Sequence, residues 1–175
     1  MSKAKKMEMY VITLSRVFPV KHPRKGEPTN FETQLLNAVW RAHNMSIGFP
    51  QYGMKLHTIR SNYALWSKRF KQIDAGKASI SIRYWTGKPY HSKQIEICKL
   101  TKDDGIGIQK MEFLAFQEGY RKDAGIWIAG HVIPMHLREQ IAINDGLTLK
   151  DWDDLFSDYD KTEPLAIIHF TKFRY

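Results

Sequence analysis

The 175-residue chain carries 27 Lys plus Arg against 18 Asp plus Glu, a formal charge of +9, which favours anionic partners such as nucleic acids and nucleotides. Its length suits one domain burying about 70% of its unfolded surface and is too short for two ordinary cores. An apolar fraction of 43% and an aromatic fraction of 13% exclude global disorder, and a single cysteine, Cys98, excludes an intrachain disulfide framework or a Cys-rich zinc site. No stretch approaches the roughly 20 apolar residues of a membrane span, and MSKAKKMEMY lacks the apolar centre of a secretory signal, so a soluble, cytoplasmic protein is expected.

In chain order, residues 8–15, EMYVITLS, mix β-branched and aromatic side chains and read as a strand. Residues 18–30, with three prolines, one glycine and four basic side chains, read as a loop. Thr29 or Asn30 is placed to cap a helix over 31–43, where Phe31, Leu35, Ala38 and Val39 share a face. Ser61 is the expected N-cap of the next helix, with Leu65, Trp66, Phe70 and Ile73 as its apolar stripe and Gly76 as its stop. The alternation of Ile80, Ile82 and Tyr84 with Ser79, Ser81 and Arg83 predicts a half-buried strand. TGKPY is turn chemistry, and the strands QIEICKL and 106–116, IGIQKMEFLAF, complete an expected meander. GIWIAG predicts a short strand, followed by a helix with Pro134 in its first turn and Leu137, Ile141 and Ala142 on its face. Thr148 caps LKDWDDLFSDY, with Leu149, Trp152, Leu155 and Phe156 inward, and EPLAIIHFTKFRY closes the chain as a strand. Six or seven short strands with inserted helices predict one α+β domain over 1–175, built on a small, mostly antiparallel barrel.

Common catalytic signatures are absent: there is no phosphate loop, nucleophile elbow, H-E-x-x-H or G-x-G-x-x-G. The seven histidines are scattered without helical pairing, so no metal set is expected. The densest polar segment is KLHTIR, residues 55–60. In a regular strand Lys55 and Thr58 face opposite ways, and only a bend near His57 brings the amine towards the hydroxyl. Arg83, Tyr84 and Trp85 combine a guanidinium for phosphate with rings on which a base can stack. Two basic loops, 21–28 and 87–94, would flank a groove, with Arg24, Lys25, Lys88 and Lys93 on phosphates.

KLHTIR, GKASISIRYWTG, AINDGLTLKDW and LAIIHF, in that order, resemble segments of ASCH domains, the PUA-like small barrels related to RNA-binding modules. The resemblance is closest to compact bacterial members that remove an acetyl group from N(4)-acetylcytidine, and it covers about residues 55–170. It implies a PUA-like β-barrel to which residues 1–50 are an extension. It also implies a site of Lys55, Thr58 and Arg60 with Asp145, which stands where those amidohydrolases have glutamate. Thr58 would attack, Lys55 would accept its proton, Asp145 would be the acid, and Arg60 would hold an oxyanion or phosphate; no cofactor is implied. Aspartate is one methylene shorter, and a group misplaced by about 1 Å can lose roughly 100-fold in rate. The first reading is therefore a protein that binds RNA or a modified nucleoside. The second is an amidohydrolase of acylated cytidine, or a ribonuclease, at the same cleft; the third is a protein-interaction module with a vestigial cleft.

Overall fold

The computed structural model describes residues 7–113, 125–157, 159–160 and 162–175. Its elements run β1 (Glu8–Thr13), α1 (Phe31–Ala42), β2 (His57–Arg60), α2 (Tyr63–Asp74), β3 (Ala78–Trp85), β4 (Gln94–Leu100), β5 (Gly107–Phe113), β6 (Ile126–Ile128), β7 (His131–Ile133), α3 (Arg138–Asn144), α4 (Leu149–Phe156) and β8 (Leu165–His169). Single turns of tight helix occupy Pro50–Tyr52, Lys102–Asp104 and Met135–Leu137.

The domain is α+β, with one sheet in the order β1-β3-β4 and another in the order β2-β8-β5-β6-β7. All pairings are antiparallel except that of β1 with β3. The expected meander is therefore divided: β3 and β4 form a hairpin, but β5 joins the other sheet beside β8. No closed barrel is found among the described residues; the strands stand in two sheets. Helix α2 packs on β3, β5 and β8 and so ties the sheets together. Its Trp66, Phe70 and Ile73 are buried as their spacing predicts, but Leu65 lies off that face and is 41% exposed.

Several local expectations are corrected. The N-cap of α2 is Asn62, whose side chain accepts from the Leu65 N–H at 3.0 Å; its short amide tolerates the left-handed φ of 62°, where Ser61 would have left the cap one residue early. Ser79 and Ser81 are as buried as Ile80 and Ile82. Their small side chains lie in the middle strand, between the longer Met9 and Val11 on one side and, beside Ser81, Lys99 on the other. After β6, the chain turns through Ala129 (φ 50°) and Gly130 (φ 84°) into β7, not into a helix. Two consecutive positive φ values suit a hairpin, and Pro134 then precedes the tight turn that leads into α3. The strand over 106–116 starts at Gly107, and its residues 114–116, like Asp158 of the helix expected over 149–159, lie outside the described residues; that helix ends at Phe156.

Thr148 caps α4 as its sequence predicts, accepting from the Asp151 N–H at 3.1 Å. Trp152 and Phe156 are buried, while Leu149 and Leu155 are half-buried against the core. Cys98 is partly buried, and burial pushes its thiol up to about 12, which keeps it protonated and inert. Among the described residues no helix is long and apolar enough to cross a membrane.

The core centres on β8, where all five residues are buried because the strand lies between β2 and β5. Removing most of Ile167 would leave a cavity that the surrounding sheet cannot fill. Ile167→Ala is expected to lower stability by about 2–5 kcal/mol in urea denaturation with an unchanged slope; a loss below about 1 kcal/mol would show that β8 is not the packed centre.

Candidate functional site

The site forms where the segment before β2 meets the end of α3. Leu56 N–H donates to Asn144 O at 2.7 Å and Lys55 N–H donates to Gln34 O at 3.0 Å, so backbone bonds on both sides hold Lys55 beside Asp145. Asp145 ends α3, its own N–H bonding the Ile141 and Ala142 carbonyls at 3.0 Å. Gly146 then turns the chain at φ 82°, a left-handed conformation that favours glycine, and a Cβ there would also displace the end of the Gln34 side chain, 2.0 Å away.

Lys55 Nζ donates to Asp145 Oδ1 at 2.5 Å and to the Asp145 carbonyl, and it lies 4.1 Å from the centre of the Phe31 ring. The two side chains are 2% and 5% exposed. Lys55 precedes β2, which begins at His57, and its ammonium bonds Asp145, not the Thr58 hydroxyl towards which a bend was expected to bring it. Burial pushes the Lys55 ammonium below its ordinary range against the pull of Asp145, and pushes the Asp145 carboxyl up against that of Lys55. The two affinities for a proton are thereby drawn together.

Lys55, Thr58, Arg60, Asp145 and Trp85 all line one cavity of about 430 Å³. Arg60 Nη2 donates to Thr13 O at 2.6 Å, and its buried Nε–H has no partner among the described residues. Aromatic side chains complete the walls: Phe31, Phe156 and Tyr159 inside, and Tyr90 at the rim, 87% exposed. Trp85 and Tyr90 lie with ring centres 5.4 Å apart. Tyr90 adopts φ 65°, a costly conformation for a bulky residue and one that is concentrated at functional sites.

Other expected site residues fall elsewhere. Arg24 pairs with Glu27 and with the buried Asp151, each at 2.7 Å, and lines a separate cavity of about 450 Å³. Arg83 lies on the other sheet, donating to Ser81 Oγ at 2.8 Å with Glu96 3.9 Å away. Tyr84 stacks under Arg16 at 4.8 Å and lines a third, smaller cavity. Lys25, Lys88 and Lys93 are exposed and do not line the Lys55 cavity. Arg24, drawn to Asp151, thus lines a different cavity from Trp85, and strand alternation sends Tyr84 to the face opposite Arg83 and Trp85. Sequence reasoning missed Phe31, Tyr90, Phe156 and Tyr159 as walls. Only Tyr90 had a signal, an aromatic in a turn beside Trp85.

Breaking a buried pair leaves an uncompensated charge, whereas replacing both partners does not. Lys55→Met is expected to cost about 3–5 kcal/mol, and the double variant Lys55→Met/Asp145→Leu to recover most of it; a double variant as unstable as the single would show that the charges are not coupled. His169 is buried with neither ring nitrogen hydrogen-bonded among the described residues, and burial with Arg174 nearby lowers it to about 3. The neutral ring thus stabilises the fold above the unfolded value of about 6.5, and this stability is lost as pH falls towards the folded one. Over pH 6 to 4, His169→Phe is expected to remove about 1.4 kcal/mol per pH unit from the slope of stability against pH; an unchanged slope refutes it. Comparisons of this chain with family models, with curated proteins and with solved structures return no match.

Proposed function

We propose that this chain binds a nucleobase, as a modified nucleoside or as a unit of RNA, in the cavity lined by Lys55, Thr58, Arg60 and Asp145. The observation that carries the reading is the combination of a buried Lys55–Asp145 pair with walls of Trp85, Tyr90, Phe156 and Tyr159 in one cavity of about 430 Å³. Rings stack bases with about 1–3 kcal/mol each, whatever the base. A carboxylate accepts from an exocyclic amino group and an ammonium donates to a ring carbonyl, and a cytosine edge presents both. Arg60, which lines the same cavity, adds a guanidinium for a further acceptor on the ligand.

We also propose an ASCH-type, PUA-like relationship. Its support is the order of KLHTIR, GKASISIRYWTG, AINDGLTLKDW and LAIIHF in the sequence, together with the convergence of Lys55, Thr58, Arg60 and Asp145 on one cavity. A second reading, removal of the acyl group from N(4)-acetylcytidine, is favoured by the presence of Thr58 in the same cavity as a lysine whose proton affinity burial has lowered. Thr58 Oγ would attack the acyl carbon, its proton passing to the neutral Lys55 amine. The C–N bond would break as Asp145 protonates the departing amine, and water would then hydrolyse the threonine ester.

Binding is tested by titrating single-stranded RNA, cytidine and N(4)-acetylcytidine against Trp fluorescence at 50 and 200 mM salt. RNA affinity is expected to fall steeply with salt, and Trp85→Ala to weaken each ligand that binds about 10-fold. Absence of binding by all three ligands overturns the proposal, and recovery of a protein partner would then favour an interaction module. Release of cytidine, lost in Thr58→Ala, would establish the hydrolase reading; no release sinks it while leaving binding intact.

A further inference from the structure

Behind the Lys55–Asp145 pair lies a buried polar chain that does not touch the cavity. His57 is fully buried and does not line it. Its Nε2 lies 2.7 Å from the Tyr175 hydroxyl, and that hydroxyl accepts from Asn144 Nδ2 at 3.0 Å. On the other side, His57 Nδ1 has no hydrogen-bond partner among the described residues and faces Asp145 Oδ1 at 3.9 Å, beyond hydrogen-bond length but well within Coulombic reach. The remaining titratable neighbours are Lys55 and His169, the latter edge-on with ring centres 5.7 Å apart.

Proton bookkeeping selects one arrangement. Burial, with His169 and Lys55 nearby, holds the His57 imidazole well below its ordinary value, so the ring is neutral and carries one N–H. The Tyr175 oxygen already accepts from Asn144 and has one proton to donate. If His57 Nε2 carried the ring proton, the Tyr175 proton would have no acceptor there, and the Nδ1 lone pair would face a carboxylate. If Tyr175 donates to Nε2, its hydroxyl is satisfied and Nδ1–H points its positive end at Asp145.

We infer that His57 is a positioning residue: the Tyr175 hydroxyl fixes its Nδ1–H tautomer, and the dipole of that N–H, 3.9 Å from Oδ1, favours the Asp145 carboxylate electrostatically where it meets Lys55. The role rests on the cavity being a ligand site with Asp145 as a working group, but the tautomer does not. His57 acts through Asp145, as an orienting group behind a proton-transfer residue does. Its placement in KLHTIR thus has a use separate from the neighbouring Lys55 and Thr58.

The test uses the full chain, labelled with ¹⁵N and ¹³C, as wild type and as Tyr175→Phe, which keeps the ring and removes only the hydroxyl. Long-range ring correlations at pH 7 are expected to show His57 with its proton on Nδ1. In Tyr175→Phe the Nε2–H form should grow several-fold, and the Asp145 carboxyl titration should move up by about half a unit or more as it loses a facing donor. Assignment of His57 comes from its absence in His57→Asn or, should that variant not fold, from the contact of its ring with Tyr175. Wild-type His57 protonated on Nε2, or an Asp145 titration unmoved in Tyr175→Phe, overturns the inference. Where the wild type releases cytidine from N(4)-acetylcytidine, Tyr175→Phe should lower kcat about 10-fold with KM within about twofold, and an unmoved kcat overturns the positioning role. If the wild type releases none, the hydrolase reading fails while the tautomer and the Asp145 titration still decide the role of His57.

Discussion

An ammonium and a carboxylate withdrawn from water are the constraint around which this domain is arranged. Each ion costs several kcal/mol to bury, and their attraction offsets that cost only with good geometry and extra hydrogen bonds. Lys55 has both: Asp145 offers a carboxylate oxygen at 2.5 Å and its backbone carbonyl, and the Phe31 face lies 4.1 Å away. The carbonyl belongs to the residue that ends α3, where helix carbonyls lack intrahelical partners and the helix dipole is negative. A lysine is the residue that such an end best accepts. Three separate features of the chain, the helix end, the Gly146 turn and the backbone bond from Leu56 to Asn144, thus serve one contact.

The rest of the architecture supplies what that contact lacks. β8 anchors β2 with four paired positions, from His57 opposite His169 to Arg60 opposite Ala166, which fixes the direction of Thr58 and Arg60. Helix α2 holds the other sheet against β8, and the β3–β4 hairpin then brings Trp85 and Tyr90 to the mouth of the cavity. α4 contributes Phe156 from the opposite side, fixed by the Thr148 cap. The cavity is therefore walled by both sheets, the start of α1, the turn after α3 and α4, although no single element contains more than a few of its residues.

Much of this was legible in the sequence because it depends on local rules. The stripe of Trp66, Phe70 and Ile73 follows helical period, and the Thr148 cap follows side-chain chemistry. Lys55, Thr58 and Arg60 stand together in KLHTIR and Asp145 is implied only by the ASCH resemblance, yet all four line one cavity. What was not legible depends on distant partners. Asp151, 127 residues from Arg24, takes that arginine out of the supposed groove. Ser79 and Ser81 read as a solvent face, but a middle strand has neighbours on both sides that sequence alternation cannot reveal. Tyr175 meets His57 across 118 residues, with no local pattern to mark either as a partner. The two-residue turn at Ala129 and Gly130 lacks the Asn or Asp that usually announces it, so β7 was read as helix.

Asp145 stands where the amidohydrolases that the sequence resembles have glutamate, and its shorter side chain has a physical consequence. The shorter side chain keeps the carboxylate close to its own backbone carbonyl, and both oxygens meet one ammonium. In that ionised state Lys55 has no lone pair to give and Asp145 no proton, so the pair can recognise a donor and an acceptor on a ligand but cannot begin acyl transfer. Moving a single proton from Nζ to Oδ1 converts the same two groups into a free amine base and a carboxylic acid, the state that hydrolysis requires at its start. Burial drives both groups in that direction, lowering the lysine and raising the aspartate. The proposed binding and the proposed hydrolysis would thus be two proton placements on one pair. The Asp145 carbonyl at the end of α3 accepts from the amine and so favours the ionised placement, and with it the proposed recognition, whereas a ligand that closed the cavity to water would push the pair the other way.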